Sequence, residues 1–213
     1  MDINWDYTNR EIHLSMLSYV QDALTRFRHA RPRKPQDQPY SHVNPTYGVN
    51  AQYATDADPS PLLKHVQKKF VQEVTGTFLY YNPAIDSTML PALGTIATQQ
   101  SALAEKTMHK VHQFIDYAAT HPDAIITYRA SNMILAAHSD ASYLSESKAR
   151  IRAGGLFFMS NDSAVPPNNG SVLTISKITN EVMSSAAEAE LGSLFINCRE
   201  AIPERHALET MGH

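Results

Sequence analysis

The sequence predicts an α+β chain, with strands at its start and in its last third and helices between them. Two observations carry this. Apolar residues recur every three or four positions between Val66 and Ala119, and short β-type runs bounded by Gly, Pro, Asn and Ser extend from 124 to 175. A third is the return of helical spacing over 184–200.

At the start, 3–7 and 11–14 read as a strand pair around the polar turn Thr8-Asn9-Arg10. Ser15 is the expected N-cap of a helix carrying Met16, Leu17, Val20, Leu24 and Phe27. A basic tail comes after it with Arg26, Arg28, His29, Arg31, Arg33 and Lys34, and Pro32 ends the helix. From Pro32 to Pro61 fall six of the twelve prolines, which predicts an extended linker.

Three helical stripes come next. They are Val66, Phe70, Val74, Phe78 and Tyr81, then Leu90, Leu93 and Ile96, then Met108, Val111, Ile115, Ala118 and Ala119. Strands are expected at 124–129, 133–138, 155–159 and 172–175, with a turn region at 160–171. The last helix presents Ala187, Leu191, Leu194, Phe195 and Cys198 as its apolar positions, and Pro203 lies just past its expected end. The implied division is 1–31 as a strand-and-helix unit, 32–63 as linker, 64–122 as a helical connection and 123–213 as a sheet with one helix.

Composition narrows the function classes. A hydrophobic fraction of 43%, 18% charged residues and a formal net charge of -3 describe a folded chain without bulk attraction for polyanions. Any grip on nucleic acid must therefore be local. The single cysteine, Cys198, cannot close an internal disulfide. No apolar leader or membrane span is present, so the expected compartment is the cytoplasm or nucleus, with no membrane partner.

Three acids in two places could carry chemistry. Asp140 closes the apolar run Ile134-Leu135-Ala136-Ala137-His138-Ser139, and Glu188 and Glu190 stand in the first turns of the last helix. Carboxylates on rigid elements suit a hard cation such as magnesium, and two such ions roughly 4 Å apart can stabilise both oxygens of a phosphodiester exchange. The ordinary alternatives are a turn-forming Asp and acids placed by the helix dipole. Spacing does not choose between the glutamates, which flank the apolar stripe on opposite sides. His109 and His112, three apart on one helix, could bind a metal, but no acid is placed with them.

A series of segments in order raises the first reading. Residues 2–27, a strand pair with a helix after it, resemble the end of a copia-type retrotransposon reverse transcriptase, and Lys34-Pro35 fits the Lys-Pro segment beyond that helix. Val74-Thr75-Gly76-Thr77-Phe78-Leu79-Tyr80-Tyr81 is similar to that family's "VGSLMYL" helix. Pro83-Ala84-Ile85-Asp86 stands at its "RPDI", and 108–119 at its "HW.A..R.LRYL" helix. Ser139-Asp140-Ala141-Ser142-Tyr143 resembles "SDADWA", the opening of the family's ribonuclease H domain. Residues 147–158 resemble "RRSTSGYVFFL", and Ser184-Ser185-Ala186-Ala187-Glu188-Ala189-Glu190-Leu191 resembles "SSAEAEY".

The resemblance implies that 1–31 is a thumb-like reverse transcriptase remnant and 123–213 the first half of a ribonuclease H-like domain, with an incomplete three-stranded sheet and one helix. It implies Mg2+ as cofactor, Asp140 and Glu190 as catalytic and metal-binding residues, and RNA–DNA hybrid and other polyprotein segments as partners. Glu190 is preferred to Glu188 because Ala189-Glu190-Leu191 parallels the "AEL" around the catalytic glutamate of ribonucleases H. The two carboxylates are then expected to converge.

The departures matter equally. Ser142 replaces the second Asp of "SDADWA". The family's third acid, on a fourth strand after the helix, has no counterpart before His213, and no "YxDD" occurs in the chain. The resemblance thus implies a polyprotein fragment inactive by itself as RNA-directed DNA polymerase or ribonuclease H. A second expectation is a non-catalytic nucleic-acid-binding remnant that uses Arg26, Arg28, Arg31, Arg33 and Lys34 on phosphates. Against it, basic residues at a helix C-terminus also offset the dipole.

Overall fold

A computed structural model describes residues 1–41, 59–146 and 149–213. It is a mixed α+β structure with two three-stranded antiparallel sheets and five α-helices among these residues. Two compact units are present. Among the described residues one holds 1–4, 13–41 and 59–126, and the other 5–12, 127–146 and 149–213.

Strands β1 (Asp2–Asp6) and β2 (Glu11–Ser15) form the expected pair. Asp6 shapes the turn between them by accepting from the Asn9 backbone N–H at 2.9 Å and its side-chain amide at 2.8 Å. The pair gains a third strand, β3 (Ile125–Arg129), in the order β1-β2-β3. The Arg129 guanidinium meets Glu11 at 3.0 Å.

Helix α1 (Leu17–Phe27) has Met16 at its N-cap, without a side-chain cap, because Ser15 is still the last residue of β2. It closes on Arg28 in the left-handed region at φ 51°. α2 (His65–Ala84), α3 (Leu90–Thr98) and α4 (Glu105–Thr120) match the three apolar stripes. Pro83 sits inside the last turn of α2 rather than after it.

All four helices feed one core in which Val20, Leu24, Val71, Phe78, Tyr81, Leu93, Phe114 and Ile115 are buried. The Phe78 and Phe114 rings meet edge to face at 5.0 Å. The expected boundary at residue 31 therefore does not separate two cores. α1 needs the others to bury its apolar face.

Part of the expected tether is also bound. Gln36 N–H donates to Thr120 Oγ1 at 3.0 Å, Gln113 Nε2 to the Gln38 carbonyl at 3.2 Å, and Ser41 Oγ to Gln113 Oε1 at 3.0 Å. Residues 32–41 thus lie along α4, 42–58 fall outside the described residues, and the end of the expected linker is bound too, with Leu63 N–H donating to the Leu103 carbonyl at 2.9 Å and Glu105 N–H to the Pro61 carbonyl at 3.0 Å.

In the second unit β4 (Ile134–Glu146), β5 (Arg150–Ser160) and β6 (Ser171–Ile178) form an antiparallel sheet of order β4-β5-β6. Helix α5 (Ala186–Thr210) packs on β4 and β5 and runs through Pro203 to Thr210, well beyond its expected end. No helix among the described residues is long and apolar enough to cross a membrane.

Candidate functional site

Asp140 lies on β4 opposite Gly154 of β5, and Ser139 opposite Gly155. Side chains alternate along a strand, so neighbours in each pair leave the sheet on opposite faces. Which face meets α5 is fixed by contacts. Asn197 Nδ2 of α5 donates to Ser139 Oγ at 2.8 Å, and a Cβ built on Gly155 would overlap Asn197 Oδ1. Ser139 and Gly155 therefore face the helix, and Asp140 and Gly154 face away from it.

At residue 140 it is the backbone that α5 touches. Ser193 Oγ donates to the Asp140 carbonyl at 2.6 Å, and Asn197 Nδ2 to the Gly154 carbonyl at 2.8 Å. On the far face, with Asp140, are His138, hydrogen-bonded to Asn168 at 2.8 Å, and Phe158, whose ring lies 5.1 Å from that of His138. Asp140 is exposed.

The two glutamates have different settings. Glu188 belongs to the cap of α5. Its carboxylate accepts from Ser184 N–H at 2.7 Å and Ser184 Oγ at 2.6 Å, and its own N–H donates to Ser185 Oγ at 3.1 Å. Those Ser184 bonds hold the carboxyl below its ordinary pKa. Glu190 is exposed beside the buried Ala189, and its side chain makes neither hydrogen bond nor ion pair among the described residues.

The expected convergence of Asp140 and Glu190 is not found, since one leaves the sheet on the face away from the helix that carries the other. Nor does any group of three or more His, Cys, Asp or Glu among the described residues form a cluster able to hold a metal. Magnesium is commonly held by one or two carboxylates with water and substrate phosphates completing its shell, and Asp140 and Glu190 do not point to one place for it.

The basic residues divide as well. Arg28 and Arg31 line one surface depression together with Gln21, Thr25, His29 and Ala119. Arg26 opens onto another, beside Asp22 and Glu73, and its guanidinium lies 5.5 Å from the Phe27 ring centre. Arg33 and Lys34 are exposed and line neither.

His29 Nε2 lies 2.7 Å from Asp116 Oδ1, a partnership that links the segment after α1 to α4. His112 packs between His29 and Phe70, each ring centre 6.2 Å away, and burial, then the His29 charge, lowers its pKa. His112 is thus a packing residue, and His109 joins no metal group among the described residues.

Sequence reasoning missed Ser139, Ser193 and Asn197, the residues that place β4 against α5. Their signal is the four-residue spacing of Ala189, Ser193 and Asn197, which face Gly154-Gly155 on β5. No family model, curated protein or solved structure matches this chain.

Proposed function

We propose that this chain is a segment of a copia-type retrotransposon polyprotein, spanning part of its reverse transcriptase and ribonuclease H regions and catalytically inert by itself. One observation supports the reading above others. The motif Ser139-Asp140-Ala141 lies on the first strand of an antiparallel three-stranded sheet, and Glu188-Ala189-Glu190 opens the helix that packs on that sheet. This is the order of parts that the resemblance implies, whereas the convergence of Asp140 and Glu190, on which the kinship leans, is not found.

Inertness rests on the acids. Two carboxylates on different faces do not assemble a two-ion site. The sequence also holds no "YxDD". The test is incubation of the purified chain with an RNA–DNA hybrid and magnesium, for which no cleavage is expected. Magnesium-dependent cleavage that disappears in Asp140→Asn would overturn the proposal.

A second reading has its own observation, the depression shared by Arg28, His29 and Arg31. Two guanidiniums at one concave surface could contact consecutive phosphates of a nucleic-acid backbone. In that reading the chain binds nucleic acid without acting on it.

A further inference from the structure

Helix α5 meets its sheet with the wrong face for an ordinary amphipathic helix. Ala189, Ser193 and Asn197 are buried against β4 and β5, while Leu191 is 67% exposed, Phe195 63% and Ile202 52%, and Cys198 is exposed too. At 3.6 residues per turn, Leu191, Phe195, Cys198 and Ile202 fall within an arc of about 60°, nearly opposite the buried face. Their spacing of four, three and four residues is that of a helix-pairing seam. A continuous apolar stripe on a protein surface marks an interaction site.

The sequence of the stripe indicates what covers it. Extended by one position each way, the face reads Glu188, Leu191, Phe195, Cys198, Ile202, Arg205. Laid antiparallel on a second copy about a point between Ile196 and Asn197, it matches itself. Leu191 then lies against Ile202, Phe195 against Cys198, and Glu188 against Arg205. A parallel pairing would set Glu188 on Glu188 and Arg205 on Arg205 and would align the helix dipoles. The antiparallel one joins opposite charges and opposes the dipoles.

We propose that the outer face of α5 is a homodimer interface, formed by two copies of this chain packed antiparallel about a two-fold axis. Such an interface is isologous, the same patch serving both partners. Both bonds of Glu188 to Ser184 are made by Oε2, so the cap is kept when Oε1 meets Arg205, and the exposed pair of Arg205 with Glu209 (3.3 Å) is easily exchanged.

The test uses the full chain. Sedimentation across the micromolar range is expected to show a reversible monomer–dimer equilibrium. Cys198 is the only cysteine, so a short bis-maleimide should give a covalent dimer and no higher species. Phe195→Glu, at an exposed position, should leave the circular dichroism unchanged while weakening dimerisation by roughly tenfold or more and removing the cross-link. Arg205→Glu should weaken the dimer, and the double variant E188R/R205E should restore it. A chain that stays monomeric at every concentration overturns the proposal. So does a dimer indifferent to Phe195→Glu, which would lie elsewhere, as at the edge of β4. A dimer in which the charge swap fails to restore affinity excludes the antiparallel pairing.

Discussion

Asn197 donates to Ser139 Oγ at 2.8 Å, and the same side chain leaves no room for a methyl group on Gly155, whose Cβ would overlap its Oδ1. Helix α5 can approach the sheet this closely because glycine stands beneath it. The polar contact and the bare glycine backbone are one device, and it sets the distance between the two elements.

Gly155→Ala should accordingly destabilise the second unit by about 1–3 kcal/mol, the usual cost of forcing an atom into a filled interior. Gly154→Ala is the matched control. Its Cβ would face away from α5, with its nearest neighbour the Asp140 carbonyl at 3.6 Å, an ordinary contact. That substitution should change stability by no more than about 0.5 kcal/mol. Urea unfolding monitored by circular dichroism separates the two, and equal effects would remove the account of α5 packing.

How far the sequence could be read depends on which face of each helix is apolar. For α2, α3 and α4 the stripe is the buried face apart from Val66, which is exposed at the start of α2, and Val74, Phe78, Leu93, Val111 and Ile115 are all core. For α5 the same logic finds the helix and assigns its faces backwards. Leu191 and Phe195 form the more apolar stripe, yet small and polar residues meet the sheet because the glycines admit only those. Ser15 misleads in a similar way, being a strand residue whose hydroxyl gives α1 no cap. Pro203 predicts a stop that the helix ignores. At the candidate site, one-dimensional order could suggest that Asp140 and Glu190 belong together, but only strand parity relative to α5 shows that Asp140 turns away.

The far face of the same sheet holds an ion pair with little access to water. Arg152 Nη2 and Nε lie 2.6 and 2.7 Å from Glu146 Oε1, with side chains only 11% and 12% exposed, and Nη1 donates to Ser176 Oγ at 3.1 Å. Removing Glu146 takes the nearest counter-charge from a poorly solvated guanidinium, so Glu146→Leu should cost about 3 kcal/mol. The double variant Glu146→Leu/Arg152→Met should recover most of that stability, because an apolar pair has no desolvation penalty to offset. A double variant as unstable as the single one would show that the pair has another role.

Alkaline pH should act on the first unit through Tyr81. Burial, then the Asp86 charge, pushes its phenol up from 10.0 to about 12. A folded-state pKa above the unfolded value means that the native state holds the proton more tightly. The contribution is therefore complete below pH 10 and is lost as pH rises from there through about 12. Burial also raises Tyr19 and Tyr128, so absorbance of tyrosinate against pH should show several late steps, and Tyr81→Phe should remove the one near 12. If Tyr81→Phe leaves the late part of the curve unchanged, the burial of Tyr81 in this core is wrong.

Nucleic-acid binding, if the chain has it, should depend on two arginines more than on the rest. With phosphates held in the depression of Arg28 and Arg31, anisotropy titrations with a labelled hybrid duplex should give an affinity that falls linearly in log–log terms with salt. Each phosphate that the protein no longer neutralises should reduce that slope by about 0.9 on B-form DNA, with a comparable step on a hybrid. Arg28→Gln and Arg31→Gln should each flatten it by about one such step. Arg26→Gln should not, because Arg26 opens onto a surface already carrying Asp22 and Glu73. Equal effects at all three would point to diffuse charge rather than a site. Binding that is absent or indifferent to salt would leave the basic residues as the solvated end of α1, where they offset the helix dipole and do nothing more.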